Sequence, residues 1–190
     1  MKKITLFLLL MPLLAMQCEK NKNDCPDGDR ACELAKLPPL TTEGKGTFGC
    51  LVNGKAWLPK GSDAVSELIS IYYDEEQGYY LDAAYNKDDD ASTTLAFNIV
   101  QFSLKQKKYD LFTYVKDSTS RGVYTYCWDN RGCNEVKYYT DVNHSGVLNI
   151  QFIDSTQQII SGTFDFTAKA ENGEIVYVTD GRFDMWFEVQ

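Results

Sequence analysis

Histidine, positive charge, long apolar runs and helical periodicity are all scarce in this chain, and each shortage narrows what it does. A single histidine, His144, leaves no second imidazole for a zinc site, and no two of the six cysteines stand in C-x-x-C spacing. Neither a metal nor any other cofactor is expected. Lys and Arg number 19 against 27 Asp and Glu, a formal net charge of −8. That balance disfavours nucleic acid and anionic lipid headgroups as partners. The one apolar stretch, from Ile4 to Ala15, carries Pro12 and meets Gln17 and Cys18 before any second one. It falls short of the roughly 18 residues a membrane-spanning helix needs.

What that stretch does have is the form of an export signal, with Lys2 and Lys3 ahead of an apolar core of the right length. Leu14-Ala15-Met16-Gln17-Cys18 resembles the bacterial lipobox, departing from it at Gln17, where a small residue is usual. The resemblance implies cleavage before Cys18, lipid on its thiol and anchoring in the cell envelope, with the outer membrane the expected site. With Lys2 and Lys3 removed, 19 basic residues become 17 against 27 acidic ones, and the net charge moves from −8 to −10.

Three segments are expected: a signal peptide over 1–17, a lipid-anchored flexible tether over 18–46 and a single β-rich domain over 47–190. The tether is polar and turn-rich, with Asn21, Asn23, Asp24, Pro26, Gly28 and the pair Pro38-Pro39. Such a composition buries too little apolar surface to offset its ordering entropy. In an exported protein, cysteines default to disulfides. Cys127 and Cys133 bracket Trp128-Asp129-Asn130-Arg131-Gly132, a turn-like loop clipped at its base. Cys25 and Cys32 would close a second small loop, leaving Cys50 as a buried thiol on the first strand. The competing pattern pairs Cys50 with Cys127 or Cys133.

From residue 47 onward, apolar and polar residues alternate between Gly, Asn and Asp clusters, the mark of antiparallel strands. The expected fold is all-β, an antiparallel β-sandwich or a closed meander barrel. Strands are read near 48–52, 56–58, 67–73, 79–85, 94–102, 122–128 and 135–140. Loops are read at 74–78, 86–90 and 116–120. Leu148, Ile150 and Phe152, then Ile160, Phe164, Phe166 and Ala168, begin a three-strand meander, turned by Glu171-Asn172-Gly173. In its last strand Ile175, Tyr177, Phe183, Met185, Phe187 and Val189 share odd positions, while Glu174, Asp180, Arg182, Asp184 and Glu188 share even ones. The unbroken phase predicts one long strand bent near Gly181, with one apolar and one charged face.

Thr47-Phe48-Gly49-Cys50-Leu51-Val52-Asn53-Gly54-Lys55-Ala56-Trp57, Ser161-Gly162-Thr163-Phe164-Asp165-Phe166 and Thr179-Asp180-Gly181-Arg182-Phe183-Asp184 resemble a family of uncharacterised Bacteroidetes-type envelope lipoproteins with a domain of unknown function. The resemblance implies a β-rich lipoprotein and brings no known activity or site. In that company Asn53-Gly54 would be a hairpin turn packing Trp57 into the core.

No catalytic signature emerges. Gly44-Lys45-Gly46-Thr47-Phe48-Gly49 has the letters of a dinucleotide fingerprint without the strand before it or the helix after it. His144 sits in a turn with Asp141 and Ser145, where adjacent residues do not present triad geometry. Asp88-Asp89-Asp90 and the stretch from Asp24 to Asp29 lack the ligand spacing of a calcium loop. Asp165, Asp184 and Glu188 read as outward polar positions rather than a glycosidase pair. Asp117-Ser118-Thr119 and Asp154-Ser155-Thr156 resemble a short O-glycosylation acceptor.

The tyrosines are the remaining signal: Tyr72-Tyr73, Tyr79-Tyr80 and Tyr138-Tyr139 pack across strands as readily as they bind. Tyr124, Tyr126 and Trp128, beside the Cys127 loop, are the candidate recognition surface for a protein or glycan ligand. The expectation is therefore a non-enzymatic binding module anchored through its lipid, with a structural or assembly role second and a hydrolase a distant third.

Overall fold

The computed structural model describes residues 25–59, 69–74, 78–88, 91–99, 105–112, 120–127 and 135–189. One short helix, α1 (Arg30–Ala35), precedes the strands β1 (Thr47–Val52), β2 (Lys55–Trp57), β3 (Ile69–Asp74), β4 (Gly78–Asp88), β5 (Ala91–Ile99) and β6 (Lys108–Leu111). There follow β7 (Ser120–Cys127), β8 (Glu135–Tyr139), β9 (Gly146–Asp154), β10 (Ile159–Ala170), β11 (Ile175–Trp186) and β12 (Glu188–Val189). The fold is all-β, as the alternation implied.

The strands form one sheet in the order β12-β3-β4-β5-β7-β6-β9-β10-β11-β1-β2, with β8 bridging β7 and β10. Phe187 alone separates β11 from β12, and β12 pairs in parallel with β3 at the far end of that order. The sheet therefore folds over and meets itself, a barrel-like closure whose two walls face each other. Phe97 of β5 meets Phe164 and Phe166 of β10 edge-on at centroid distances of 4.8 and 5.8 Å. Phe48 of β1 stacks on Phe164 at 5.1 Å. Each such ring, taken out of water, contributes about 1.5–3 kcal/mol.

Asn53 and Gly54, at φ values of 49° and 81°, make the two-residue turn joining β1 to β2. That turn brings Trp57 into the core, where its indole N–H donates to Thr93 Oγ1 at 2.7 Å. The residues 171–173 turn β10 into β11, with Gly173 at a φ of 92°.

β11 is one bent strand, but its phase does not survive the bend. Val176 and Val178 are buried before it and Phe183, Met185 and Phe187 after it, whereas Ile175 and Tyr177 are exposed. Phe164 and Phe166 of β10 pair with Gly181 and Val178, and Gly49 and Leu51 of β1 pair with Arg182 and Thr179. Both neighbours thus see one extra residue on β11, a bulge at Asp180, whose φ is 55°. A bulge moves every later side chain to the other face. Side-chain alternation read straight through residues 179–181 puts the first half of the strand inside out.

Several boundaries also differ, and one strand was missed: Asp74 and Gly78, read as the ends of a loop, close β3 and open β4, and Ser120, read as loop, opens β7. Asn86, Lys87 and Asp88, read as loop, continue β4 and pair with β5 through Asp88 and Ala91. The strand read over 94–102 starts at Ala91, and residues 100–104 lie outside the described set. β6 escaped notice because its alternation, with Tyr109 and Leu111 buried, lasts four residues.

The largest departure is the expected tether. Residues 25–46 are a strap packed on the outside of β11, β1 and β2. Asp29 caps α1 by accepting from Cys32 N, and the Cys25–Cys32 disulfide closes the same turn. Leu37 is buried, and Pro38 and Leu58 crowd Gly49 so closely that a Cβ there would meet them at 2.9 and 2.8 Å. Polar segments order when the protein supplies partners for their backbone groups, and composition does not register those partners.

Candidate binding surface

The strap is held by two acidic side chains that sequence reasoning left in solvent. Glu33 of α1 is 4 % exposed, and its carboxylate accepts from Ala56 N of the terminal strand β2 at 3.0 Å and from Lys36 Nζ at 3.1 Å. The Ala56 bond is the main reason its pKa lies below the usual carboxylate value. It also blunts the free edge of the sheet, which otherwise offers unpaired amides to another chain.

Asp184 of β11, expected on a charged outer face, is 1 % exposed. The strap folds over it. Oδ2 accepts from the Thr41 hydroxyl and from the amides of Glu43 and Lys45 at 3.0 and 3.2 Å, and Oδ1 from Gly44 N at 2.8 Å. Burial alone raises its pKa, but these four donors together outweigh burial and hold the group below the ordinary range. Gly44 and Gly46 adopt φ values of 67° and 65°, and Trp186 lies against both. The Gly44-Lys45-Gly46 letters thus belong to a turn that wraps the protein's own carboxylate. Ser161, paired across the sheet with Asp184, is buried, and its hydroxyl has no hydrogen-bond partner among the described residues.

The aromatic candidates on β7 separate. Tyr124 is 9 % exposed, its ring 5.7 Å from that of Tyr138, and burial pushes its phenol up to about 12. It is a core residue and not part of a recognition surface. Two residues on, where β7 nears its end, Tyr126 is 36 % exposed. Trp128 and Cys133 lie outside the described residues. Cys127 is disulfide-bonded, whereas Cys50 is free and fully buried, which excludes a Cys50–Cys127 bridge.

Around β8 the outer surface is polar and shallow. Lys137 pairs with Glu135 at 2.6 Å, and the Arg121 guanidinium lies 5.2 Å from the centre of the Tyr139 ring. Glu135, Lys137 and Tyr139, with Val136, Glu171 and Asn172, line a groove of about 330 Å³. Next to it Tyr138 donates to Glu174 Oε2 at 2.9 Å. A groove of this kind presents rings and hydrogen-bonding groups without enclosing a ligand.

His144 is occupied locally. Its Nδ1 lies 2.9 and 3.0 Å from the two Asp141 oxygens, and Asp141 Oδ1 also accepts from the amides of Asn143 and His144 at 2.7 Å. Asp154 makes a similar turn, accepting from Thr156 N at 2.8 Å and leaving Ser155 and Thr156 exposed. The other three-residue acceptor match, Asp117-Ser118-Thr119, lies outside the described residues. Among the described residues no three His, Cys, Asp or Glu side chains converge as metal ligands, and no helix is long and apolar enough to cross a membrane.

Residues 78–185 match the family described as Domain of unknown function (DUF6252). The chain belongs to that family. Its matched span runs from the start of β4 to Met185 of β11, so it takes in Asp184 and the core of both walls but not the strap that covers them. No curated protein and no solved structure matches. Glu33 and Thr41 lie outside the DUF6252 span, and Asp184 alternates with Phe183 and Met185 like any outward residue. The only local hint was Gly44-Lys45-Gly46, glycines that suit a backbone wrapped closely on another group.

Proposed function

We propose that this DUF6252 protein is a lipoprotein of the bacterial cell envelope, anchored through lipid on Cys18, whose β-domain binds a protein or glycan and catalyses nothing. The observation that carries the reading is the run from Lys2 to Cys18: a basic start, an apolar core and a cysteine at its end. Two or more acyl chains at one terminus give stable anchoring, which one chain does not. The outer membrane is the membrane we assign.

Tyr126 supports the binding role, because it presents an exposed ring beside the Cys127 disulfide. An aromatic ring supplies large contact area at low entropic cost. The acidic balance points away from nucleic acid.

The test is fractionation of cells expressing the parent chain and Cys18→Ser. The parent should sediment with outer membrane and resist salt extraction, while Cys18→Ser should appear in the soluble fraction. Equal membrane association of the two would overturn lipid anchoring. For the binding role, Tyr126→Ala should lose partners cross-linked to the parent in intact membranes while keeping its denaturation midpoint; an unchanged set of partners would remove Tyr126 from the surface.

A further inference from the structure

We infer that the strap of residues 25–46 is a latch that sets how far the domain stands from the membrane, an inference that rests on the lipid anchoring of Cys18 proposed above. With the strap docked, only residues 19–24 separate Cys18 from the folded body. Whatever conformation they take, so short a connection cannot exceed about 25 Å. With the strap released, the folded body begins at Thr47, and the same limit, shortened by the Cys25–Cys32 bridge, rises to about 80 Å.

The strap is built to dock without belonging to the core. Its holds are Arg30 Nη2 on Asp180 Oδ2 at 2.6 Å, Glu33 on Ala56 N, and the amides of residues 43–45 on Asp184. No residue of 25–46 is a member of the main hydrophobic cluster. Release therefore exposes polar backbone, which water can serve, and the small apolar contact of Leu37 and Pro38 on Gly49, and it leaves the packed phenylalanines in place.

The docked strap also chooses which end of the barrel faces the bilayer. Asp27, two residues after Cys25, pairs with Lys55 Nζ at 3.0 Å beside the β1–β2 turn. Asn53 of that turn exchanges hydrogen bonds with Tyr177, close to the β10–β11 turn. Both turns thus lie at the anchored end, and the β9–β10 turn lies at the other.

The experiment places the lipidated full-length chain in phosphatidylethanolamine–phosphatidylglycerol vesicles carrying an acceptor-labelled lipid. A donor fluorophore sits on Glu171→Cys, with label taken up by the parent chain subtracted. A reference variant carries about ten extra Gly-Ser residues between Asn23 and Asp24, which lengthen the connection and leave the strap untouched. Two further variants release the strap. Gly44→Ala places a Cβ 2.7 Å from Trp186 Nε1 at a φ of 67°, and Asp184→Asn removes the charge. Circular dichroism checks that each keeps its sheet.

Energy transfer in the parent should exceed that in the reference variant, and Gly44→Ala and Asp184→Asn should fall to the reference level. A parent no higher than the reference would overturn the latch, as would two release variants that stay at the parent level. A parent that fails to float with the vesicles would instead overturn the lipid anchoring, and the latch with it, before any distance is measured.

Discussion

Asp184→Asn tests whether a carboxylate organises the strap. The substitution keeps the shape of the side chain and removes its charge. Asp184 accepts four hydrogen bonds, one at Oδ1 and three at Oδ2. An amide in the same place turns its NH2 toward at least one of those donors. A hydrogen bond to a charged group is worth about 1.5–3 kcal/mol against about 0.5–1.5 for a neutral one, so four weakened bonds sum to about 4–6 kcal/mol if the strap stays in place. The strap can lift into water instead of tolerating the mismatch, and the neutral side chain costs less to bury. The expected loss is therefore about 2–4 kcal/mol.

The same reasoning fixes the sign of the pH dependence. The folded-state pKa of Asp184 is depressed, so its stabilisation is complete above the unfolded carboxylate value of about 3.9 and is lost as pH falls through the folded value. Urea denaturation of the parent and Asp184→Asn should show a gap that is constant from about pH 5 to pH 8 and narrows below about pH 4. A gap under about 0.5 kcal/mol at neutral pH, the size of an ordinary surface change, would refute the reasoning. A gap of the same size at pH 3 and pH 7 would refute the ionic part of it.

The remaining predictions concern packing and the cysteines. Gly181→Ala should destabilise by about 2–3 kcal/mol, because its Cβ would stand 2.3 Å from the buried Phe164 ring. Gly54→Ala meets open space and should cost only the left-handed backbone, about 1–2 kcal/mol; denaturant midpoints that reverse this order would contradict the core described above. Cys50 is fully buried and its thiol pKa is pushed up by desolvation, so peptide mapping should find it unmodified by alkylating reagent until the protein is unfolded. Replacing Cys25 and Cys32 together by serine should cost about 2–3 kcal/mol and show first as proteolysis within the strap, with the sheet intact. Cleavage there at the parent's rate would mean that the disulfide does not hold the strap.

Side-chain alternation carried most of the fold. A strand half buried in a wall must repeat every second residue, so β9, β10 and β11 were legible, as was the Asn53-Gly54 turn whose positive φ values suit those residues. The Cys25–Cys32 bridge was legible from its short spacing, on the expectation of export. Asp180 was not, because a bulge adds a residue without altering the look of the pattern; its register is visible only against Gly49 and Phe164 on the neighbouring strands. Of the aromatic surface, Tyr126 is exposed, whereas Tyr124 turned out to be core because Tyr138 closes over it from β8.

By itself the sequence determined the all-β class, the strand pairing at the carboxyl end and the short cysteine loop, since each follows from contacts between residues near in the chain or from a period set by the backbone. Only the tertiary structure decided that the sheet closes on itself, that Asp184 is buried and that residues 25–46 are a strap. Those outcomes depend on partners about 140 residues apart, such as Gly44 and Asp184, whose meeting leaves no mark on local composition.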